Sequence, residues 1–475
     1  MAWAIGDPRV DHTRIASSAA GERGVGRRRL VIASNRVPAP GPDPVRAGGL
    51  VSALLPALEE SGGLWFGWSG RVERRPGRPH IARAGRVDFV TVDLTADEIA
   101  RYYAGFSNRT LWPVLHGLSH HPHAGEGLEY LVWRAVNRRF AEQLAPWLRP
   151  DDLVFVQDYH LIPFGRELRR TGWGGLLGYF HHVPMPGPEA WAALPHAVEI
   201  AGMFEHYDLV GVQTETDRTA LEAILPGRPR GAVQAHPIGI DPARMRAMAA
   251  EHPADAFATL RDERRVIFGV DRLDYTKGIP WRLTAFEQLL ERRPALAHAV
   301  RFVQWAAPSR ETIDEYREER ARIEAIAMRI AARHEDGAPV VLSIADRPRD
   351  VVAAALRDAD VCVVTSLADG MNLVAKEFVA VQRPANPGVL VLSDSCGAAA
   401  ELEGALLVRA TNVASIEAAL ERALAMPLEE RQRRWRSMAR AVESNTAQHW
   451  LQGFLRALEG AGRRSPAPDR AALGA

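Results

Sequence analysis

The sequence predicts an α/β protein of two consecutive domains, each a mostly parallel sheet covered by helices, with a central polar cleft between them. Three observations carry that expectation. At 475 residues the chain exceeds what one hydrophobic core supports, so two domains of roughly 200 residues each are expected. Short apolar runs of strand type alternate with stretches of helical spacing, the pattern of βα units. That alternation pauses after Asp241 and starts afresh at Val266, which places the domain boundary near Asp241.

In order, residues 1–28 lack a continuous apolar core and read as a disordered extension rather than a secretory signal. Leu30 to Ser34 is the first strand; a Pro/Gly-rich loop follows it to Gly48-Gly49, and Val51 to Leu58 has helical spacing. No Gly-x-Gly-x-x-Gly is present, so a dinucleotide fold gets little support, and the glycine pair suggests close backbone approach to a ligand. Gly62 to Gly70 sets Trp65 and Trp68 among glycines, and reads either as a tight turn beside core aromatics or as a ligand-facing loop. Tyr102-Tyr103 and Phe106 to Trp112 read as a loop and helix start; aromatics with polar tips suit sugar rings and cores alike. Leu153 to Gln157, Leu176 to Phe180 and Leu209 to Val212 are strands. The first two end in Asp158-Tyr-His160 and His181-His182-Val-Pro184, with Asp158 on a strand expected to neighbour that of His182.

After Asp241 a polar helical stretch is expected to about Arg264. The second strand series then runs through Val266–Val270, Val300–Gln304, Val340–Ser343, Val361–Thr365, 388–392 and 405–408. A long charged helix is expected from Ser309 to Arg333, opened by Arg310. An arginine at a helix N-terminus opposes the macrodipole unless an anion is bound there, so Arg310 is a phosphate candidate. Helices 415–425, 428–443 and 446–458 close the chain, the last expected to pack back on the first domain, with a tail over 462–475.

Composition excludes several classes. A formal net charge of +1 and 25% charged residues give no electrostatic case for nucleic acid or an anionic membrane. No apolar run approaches a membrane span. Cys362 and Cys396 show no zinc spacing and read as free thiols of a reducing cytoplasm. Any anion site must be local, and lysine usage points to where. Of 59 Lys plus Arg, only Lys277 and Lys376 are lysine, so a lysine here is a candidate for a place that arginine's wide fork cannot fill. Asp271-Arg-Leu-Asp-Tyr-Thr-Lys-Gly278 is a strand-to-helix loop with Arg272 and Lys277 at a strand's carboxyl end, where α/β sheets bind ligands. Asp369-Gly-Met-Asn-Leu-Val-Ala-Lys-Glu377 is a second such loop, and the two suggest walls of one cleft.

Together with Ser34-Asn-Arg36, Gly63-Leu-Trp-Phe-Gly-Trp-Ser-Gly70, Leu111-Trp-Pro113, Asp158-Tyr-His160, His182-Val-Pro184, His236-Pro-Ile-Gly-Ile240 and Pro308-Ser-Arg310, these motifs closely resemble the α,α-trehalose-6-phosphate synthase family. These are retaining glycosyltransferases of family 20 with the GT-B fold, two Rossmann-like domains facing a cleft. The resemblance spans roughly Arg29 to Leu458. It implies glucose transfer from a nucleoside-diphosphate glucose to glucose 6-phosphate, with no cofactor and no obligatory metal. By that resemblance residues 29–241 bind the acceptor and 242–445 the nucleotide sugar. Arg272 and Lys277 would stabilise the leaving diphosphate. Gly48, Gly49, Asp369, Gly370, Met371, Asn372, Leu373 and Glu377 would contact the donor, with Glu377 on the ribose. Arg36, Tyr103, Trp112 and Arg310 would bind the acceptor, and Asp158 and His182 would orient hydroxyls at the reacting carbon.

One position departs from the family pattern. Where enterobacterial-type synthases carry an aromatic residue near the base, this chain has Arg347 in Ala345-Asp-Arg-Pro348. Asp346 could accept from a guanine edge, which favours GDP-glucose over UDP-glucose. Alternatives are a glucosylglycerol-phosphate synthase, a cyclitol-using pseudo-glycosyltransferase, and a non-catalytic sugar-phosphate sensor; retention of the donor-side set counts against the last. A fused phosphatase domain is not expected, and a homo-oligomer is left open.

Overall fold

The computed structural model describes residues 28–38, 49–118, 123–227, 231–334 and 337–462. The expected extension apart from Arg28, the loop with Gly48, and the tail beyond Gly462 lie outside the described residues.

Two sheets form. The first contains β1 (Leu30–Arg36), β2 (Gly63–Glu73), β3 (His80–Ala84), β4 (Val87–Thr95), β5 (Leu153–Gln157), β6 (Leu176–Phe180), β7 (Leu209–Val212) and β8 (Ala232–Ala235), in the order β3-β4-β2-β1-β5-β6-β7-β8. β3 is its antiparallel edge strand. The second contains β9 (Arg265–Arg272), β10 (Val300–Ala307), β11 (Val340–Ile344), β12 (Val361–Val364), β13 (Val389–Ser393) and β14 (Leu406–Val408), in the order β11-β10-β9-β12-β13-β14, all parallel. Strands such as β5 and β12 are buried throughout, and apolar but for Gln157, because helices cover both faces. This is the expected α/β architecture of two parallel-dominated sheets.

The topology locates the cleft. In the first sheet the strand order reverses at β1/β5, in the second at β9/β12, and ligands in such sheets bind at the carboxyl ends beside the reversal. Those four strands lead into Arg36, Asp158, Arg272 and the Asp369 loop.

The chain passes between the halves at 236–241 and returns at Asn445–Thr446, where Ile240 bridges Thr446. Helix Ala447–Gly462 then lies on the first sheet. Phe454 stacks on Phe155 at 4.3 Å, and Gly178 leaves room for Phe454 and Leu458, which a Cβ there would meet at 2.8 Å.

Several local expectations are corrected. Gly63–Glu73 is a strand, not a turn. Its glycines serve close packing, since a Cβ on Gly63 would strike the Leu30 carbonyl and the Leu58 side chain, and one on Gly67 the Ser34 carbonyl. Tyr102 to Trp112 lie inside a continuous helical segment from Ala96 to Leu115 instead of in a loop. The stretch after Asp241 is helical only over Pro242–Ala250, with one further turn at Ala258–Arg261. The long charged helix starts at Asp314, so Arg310 does not open it. Ile313 is in extended conformation just before that helix, and Asp314 and Glu315 occupy its first turn, where carboxylates suit the dipole.

Candidate active site

One wall of the cleft is built from the two loops. β9 delivers Arg272, and the next residues turn back because Asp274 accepts from the Thr276 amide at 3.0 Å and the Thr276 hydroxyl at 2.9 Å. Gly278 has φ +63 and abuts the Thr365 carbonyl, where a Cβ would collide. Only glycine allows this loop to lie on the end of β12. Lys277 Nζ then reaches Asp369 Oδ2 at 2.6 Å, joining loops 92 residues apart. Ser366 Oγ (3.2 Å) and Asn372 Nδ2 (3.0 Å) donate to the same oxygen. Burial opposes ionisation of Asp369, but Lys277 and Asn372 outweigh it and hold the carboxyl below its usual range. Burial likewise opposes charge on Lys277, and Asp369 more than restores it. Both are ionised at neutral pH. Arg272 is exposed and has no hydrogen bond or ion pair of direct contact among the described residues; its charge acts at longer range on the carboxylates of Asp158 and Asp274.

Asn372, at φ +72, caps helix Leu373–Val381 by accepting from the Ala375 amide at 3.1 Å. Leu373 packs against Gly49, where a Cβ would come within 2.5 Å of it. Gly370 abuts the His182 carbonyl, so both glycines are points where the halves touch. Glu377 accepts from Arg349 at 2.6 Å, and Arg349 also donates to Ser52 of the first half. Met371 is buried in the core at 3% exposure. Arg347 is exposed, donating to Ser343 Oγ at 2.8 Å with its guanidinium 4.9 Å from the Trp305 ring.

Lys376 turns away from the cleft. At 1% exposure it donates to the Ile238 carbonyl at 2.8 Å and pairs with Glu401 at 2.7 Å. Asn445 joins the same knot, donating to Glu401 at 2.8 Å and to the Pro237 carbonyl at 3.0 Å. Lys376 therefore ties together both chain crossings between the halves.

On the opposite wall, Arg36 ends β1 with its guanidinium 5.4 Å from the Trp68 ring. Gly70, at φ +88, leaves the room that the guanidinium fills. Tyr103 stacks on His160 at 5.7 Å and 11°. It lies in a wide π-type stretch, Ile99–Leu111, that ends with the Trp112 amide on the Ser107 carbonyl. Such turns recur at functional sites because they re-aim side chains. The Trp112 ring receives the Arg310 guanidinium at 4.0 Å and that of Arg272 at 5.7 Å, both from the other half. His116 packs on it at 4.0 Å, and burial lowers its pKa to about 4, so it is neutral. Arg310 has φ +47; it donates to Asp274 at 3.4 Å, to Tyr159 Oη at 3.3 Å, and to Tyr316 Oη. Two buried donors here, Arg310 Nε and Trp112 Nε1, have no partner among the described residues.

Asp158 and His182 sit where the walls meet. Asp158 follows β5 at φ +73 and accepts from the His182 amide at 3.2 Å. Burial pushes its pKa up to about 6, against amide hydrogen bonds and the charges of Arg272 and Arg310. His182 Nε2 donates to Gln157 Oε1 at 2.9 Å, and Nδ1 accepts from Gln213 at 3.4 Å. With its pKa lowered to about 3 by burial, the ring is neutral and fixed by protein amides.

Sequence reasoning missed Asp274, His116, Gln157, Gln213 and Arg349. Asp274 had a signal, standing between Arg272 and Lys277; the others had none. Among the described residues no group of three or more His, Cys, Asp or Glu is arranged to hold a metal ion.

The chain is similar to known proteins over most of its length. The model of glycosyltransferase family 20 matches residues 44–222 and 228–460. A trehalose-6-phosphate synthase from Cronobacter sakazakii is 39% identical over 462 residues, covering 92% of this chain and 96% of that protein. An α,α-trehalose-phosphate synthase (UDP-forming) from Burkholderia vietnamiensis superposes with a TM-score of 0.86 at 39% identity, over 91% of this chain and 99% of that one. One from Burkholderia xenovorans, also UDP-forming and in complex with glucose-6-phosphate, gives 0.84 at 39% identity over 91% and 100%. With the family model spanning most of the chain and relatives matched along nearly their whole length, this chain belongs to glycosyltransferase family 20 and is a glycosyltransferase of the trehalose-6-phosphate synthase type.

Proposed function

We propose that the enzyme transfers glucose from a nucleoside-diphosphate glucose to the anomeric hydroxyl of glucose 6-phosphate, giving trehalose 6-phosphate with retention at the donor carbon. The observation that carries this is the cation arrangement around Trp112: Arg310 at 4.0 Å and Arg272 at 5.7 Å from one ring. Two separate anionic groups, a diphosphate and a sugar phosphate, are what such opposed cations suit.

In this reading residues 29–241 serve the acceptor and 242–445 the nucleotide sugar. Arg272 and Lys277 meet the diphosphate and stabilise charge as the bond from the anomeric carbon to phosphate oxygen breaks. Asp369, whose Oδ2 is taken up by Lys277, Asn372 and Ser366, offers Oδ1 to glucose hydroxyls. Glu377, steadied by Arg349, takes the ribose. Arg36, Arg310 and Tyr103 hold the 6-phosphate, and Trp112 lines the pocket. Asp158 and His182 orient hydroxyls at the reacting carbon, His182 as a fixed neutral ring. The acceptor oxygen attacks from the face the diphosphate leaves, and its proton passes to the departing phosphate oxygen.

For the base we infer GDP-glucose over UDP-glucose, from exposed Asp346 beside Arg347 at the end of β11. The Burkholderia relatives are named as UDP-forming, so this is the point on which this chain would differ from them. Cys362 and Cys396, buried and unpaired, suit a reducing cytoplasm. The test is a matrix of UDP-, GDP- and ADP-glucose against glucose 6-phosphate and glycerol 3-phosphate, reading nucleotide release and the sugar product. Trehalose 6-phosphate is the expected product; equal turnover with GDP- and UDP-glucose would remove the base preference, and silence with glucose 6-phosphate would remove the function.

A further inference from the structure

Asp274 is a fully buried carboxylate beside the three cations Arg272, Lys277 and Arg310. Its two oxygens face different subsites. Oδ1 accepts from the Thr276 amide and hydroxyl at 3.0 and 2.9 Å, inside the turn that carries Arg272 and Lys277. Oδ2 accepts from Arg310 at 3.4 Å and from the Tyr316 hydroxyl at 3.1 Å, and Tyr316 itself accepts from Arg310. Arg310 is 5% exposed and Asp274 0%, so neither exchanges its partner for water. Burial works against ionisation of Asp274, but Arg310, Arg272 and Lys277 bring its pKa down to about 2, so it is charged throughout the working range.

We propose that Asp274 is a positioning residue that mechanically couples the two substrate subsites, anchoring the acceptor-phosphate arginine Arg310 to the diphosphate-binding turn of Arg272 and Lys277. The inference rests on the roles assigned above to those three cations. A carboxylate held by two donors from the turn and two from the acceptor side cannot follow one without drawing on the other. When the diphosphate seats the turn, Asp274 is seated with it, and Arg310 is fixed against Trp112, where the reading above has it meet the 6-phosphate. Without Asp274 three cations would repel one another across the cleft, and Arg310, at φ +47, would lose the anion that holds it. The enzyme thus binds the sugar phosphate well only beside a bound nucleotide, which favours transfer over unproductive acceptor binding.

The test measures glucose 6-phosphate affinity by calorimetry with and without saturating nucleoside diphosphate, of the base that the activity matrix identifies, in the wild type, Asp274→Asn and Tyr316→Phe, alongside KM and kcat. In the wild type the diphosphate should tighten acceptor binding by ~5-fold or more. Asp274→Asn should bring that factor close to one and raise acceptor KM ~10-fold, with donor KM within ~3-fold. Tyr316→Phe, which removes only the bridging hydroxyl, should show the same pattern at ~3-fold. A wild type with no coupling overturns the proposal, as does an Asp274→Asn enzyme that keeps it. Equal losses for donor and acceptor would mean a merely structural role and also overturn it. If Asp274→Asn does not fold, Tyr316→Phe decides alone. A wild type that binds neither compound would instead remove the underlying functional reading.

Discussion

Replacing Lys277 by arginine tests whether the donor wall reads a point charge. The Lys277 side chain is 12% exposed, with Nζ 2.6 Å from Asp369. Behind it Gly278 lies against the Thr365 carbonyl, and Asn372 and Ser366 crowd the same carboxylate oxygen. A guanidinium keeps the charge but needs a plane of three nitrogens where the lysine has one, so it must pull back by about an ångström or displace Asp369. Losing a fixed donor to a developing anion costs about 2.7–4 kcal/mol, or 10²–10³ in kcat; Lys277→Ala should show that loss. Lys277→Arg recovers charge without position and should still lose ~10–100-fold, since misplacement of this size alone has such effects. The assay is kcat from nucleoside-diphosphate release with both substrates saturating, and acceptor KM should stay within about threefold. An arginine enzyme with half the wild-type kcat would refute the point-charge argument. An alanine enzyme losing less than about fivefold would show that Lys277 does not serve the diphosphate.

Three further outcomes are expected. Arg36→Ala should raise acceptor KM by ~10-fold or more and leave donor KM almost unchanged; an unchanged acceptor KM removes Arg36 from the phosphate site. Lys376→Met, which leaves the Ile238 carbonyl unpaired and Glu401 with Asn445 alone, should cost about 2–3 kcal/mol in denaturant unfolding; an unaltered midpoint would show that the knot carries no stability. Asp158 titrates in the fold at about 6 against a usual value of 3.8. Between those two pH values the unfolded chain has already lost this proton and the folded one retains it, so the Asp158 contribution to stability falls as pH rises from 4 to 6. Asparagine keeps the shape of the side chain without its charge, so Asp158→Asn should flatten that decline relative to wild type; superimposable stability–pH curves would contradict the burial argument.

The sequence by itself determined what depends on short range. Strands buried on both faces carry continuous apolar runs, so the runs within β1, β5, β9, β12 and β13 could be read from their residues. The residues that end them, Arg36, Asp158, Arg272 and Asp369, could be read as the floor of a cleft. Where glycine serves close packing rather than turning, the local signal misled: Gly63 and Gly67 marked a turn in the sequence, yet in β2 they admit the Leu30 and Ser34 carbonyls of a parallel neighbour. Likewise nothing in Pro308-Ser-Arg310 tells that the helix waits until Asp314. Only the tertiary structure decided which charges meet. Lys277 and Lys376 are alike in sequence, each shortly after a strand and near acidic residues, although Lys376 lies within helix Leu373–Val381. One reaches Asp369 in the cleft, and the other reaches Glu401 and the Ile238 carbonyl, 138 residues away, at the crossing. Arg310 meets Asp274 across 36 residues, and Arg349 meets Ser52 across 297. Such pairings have no period and no local propensity; they exist because two sheets reverse their strand order at facing edges, and that arrangement belongs to the whole chain.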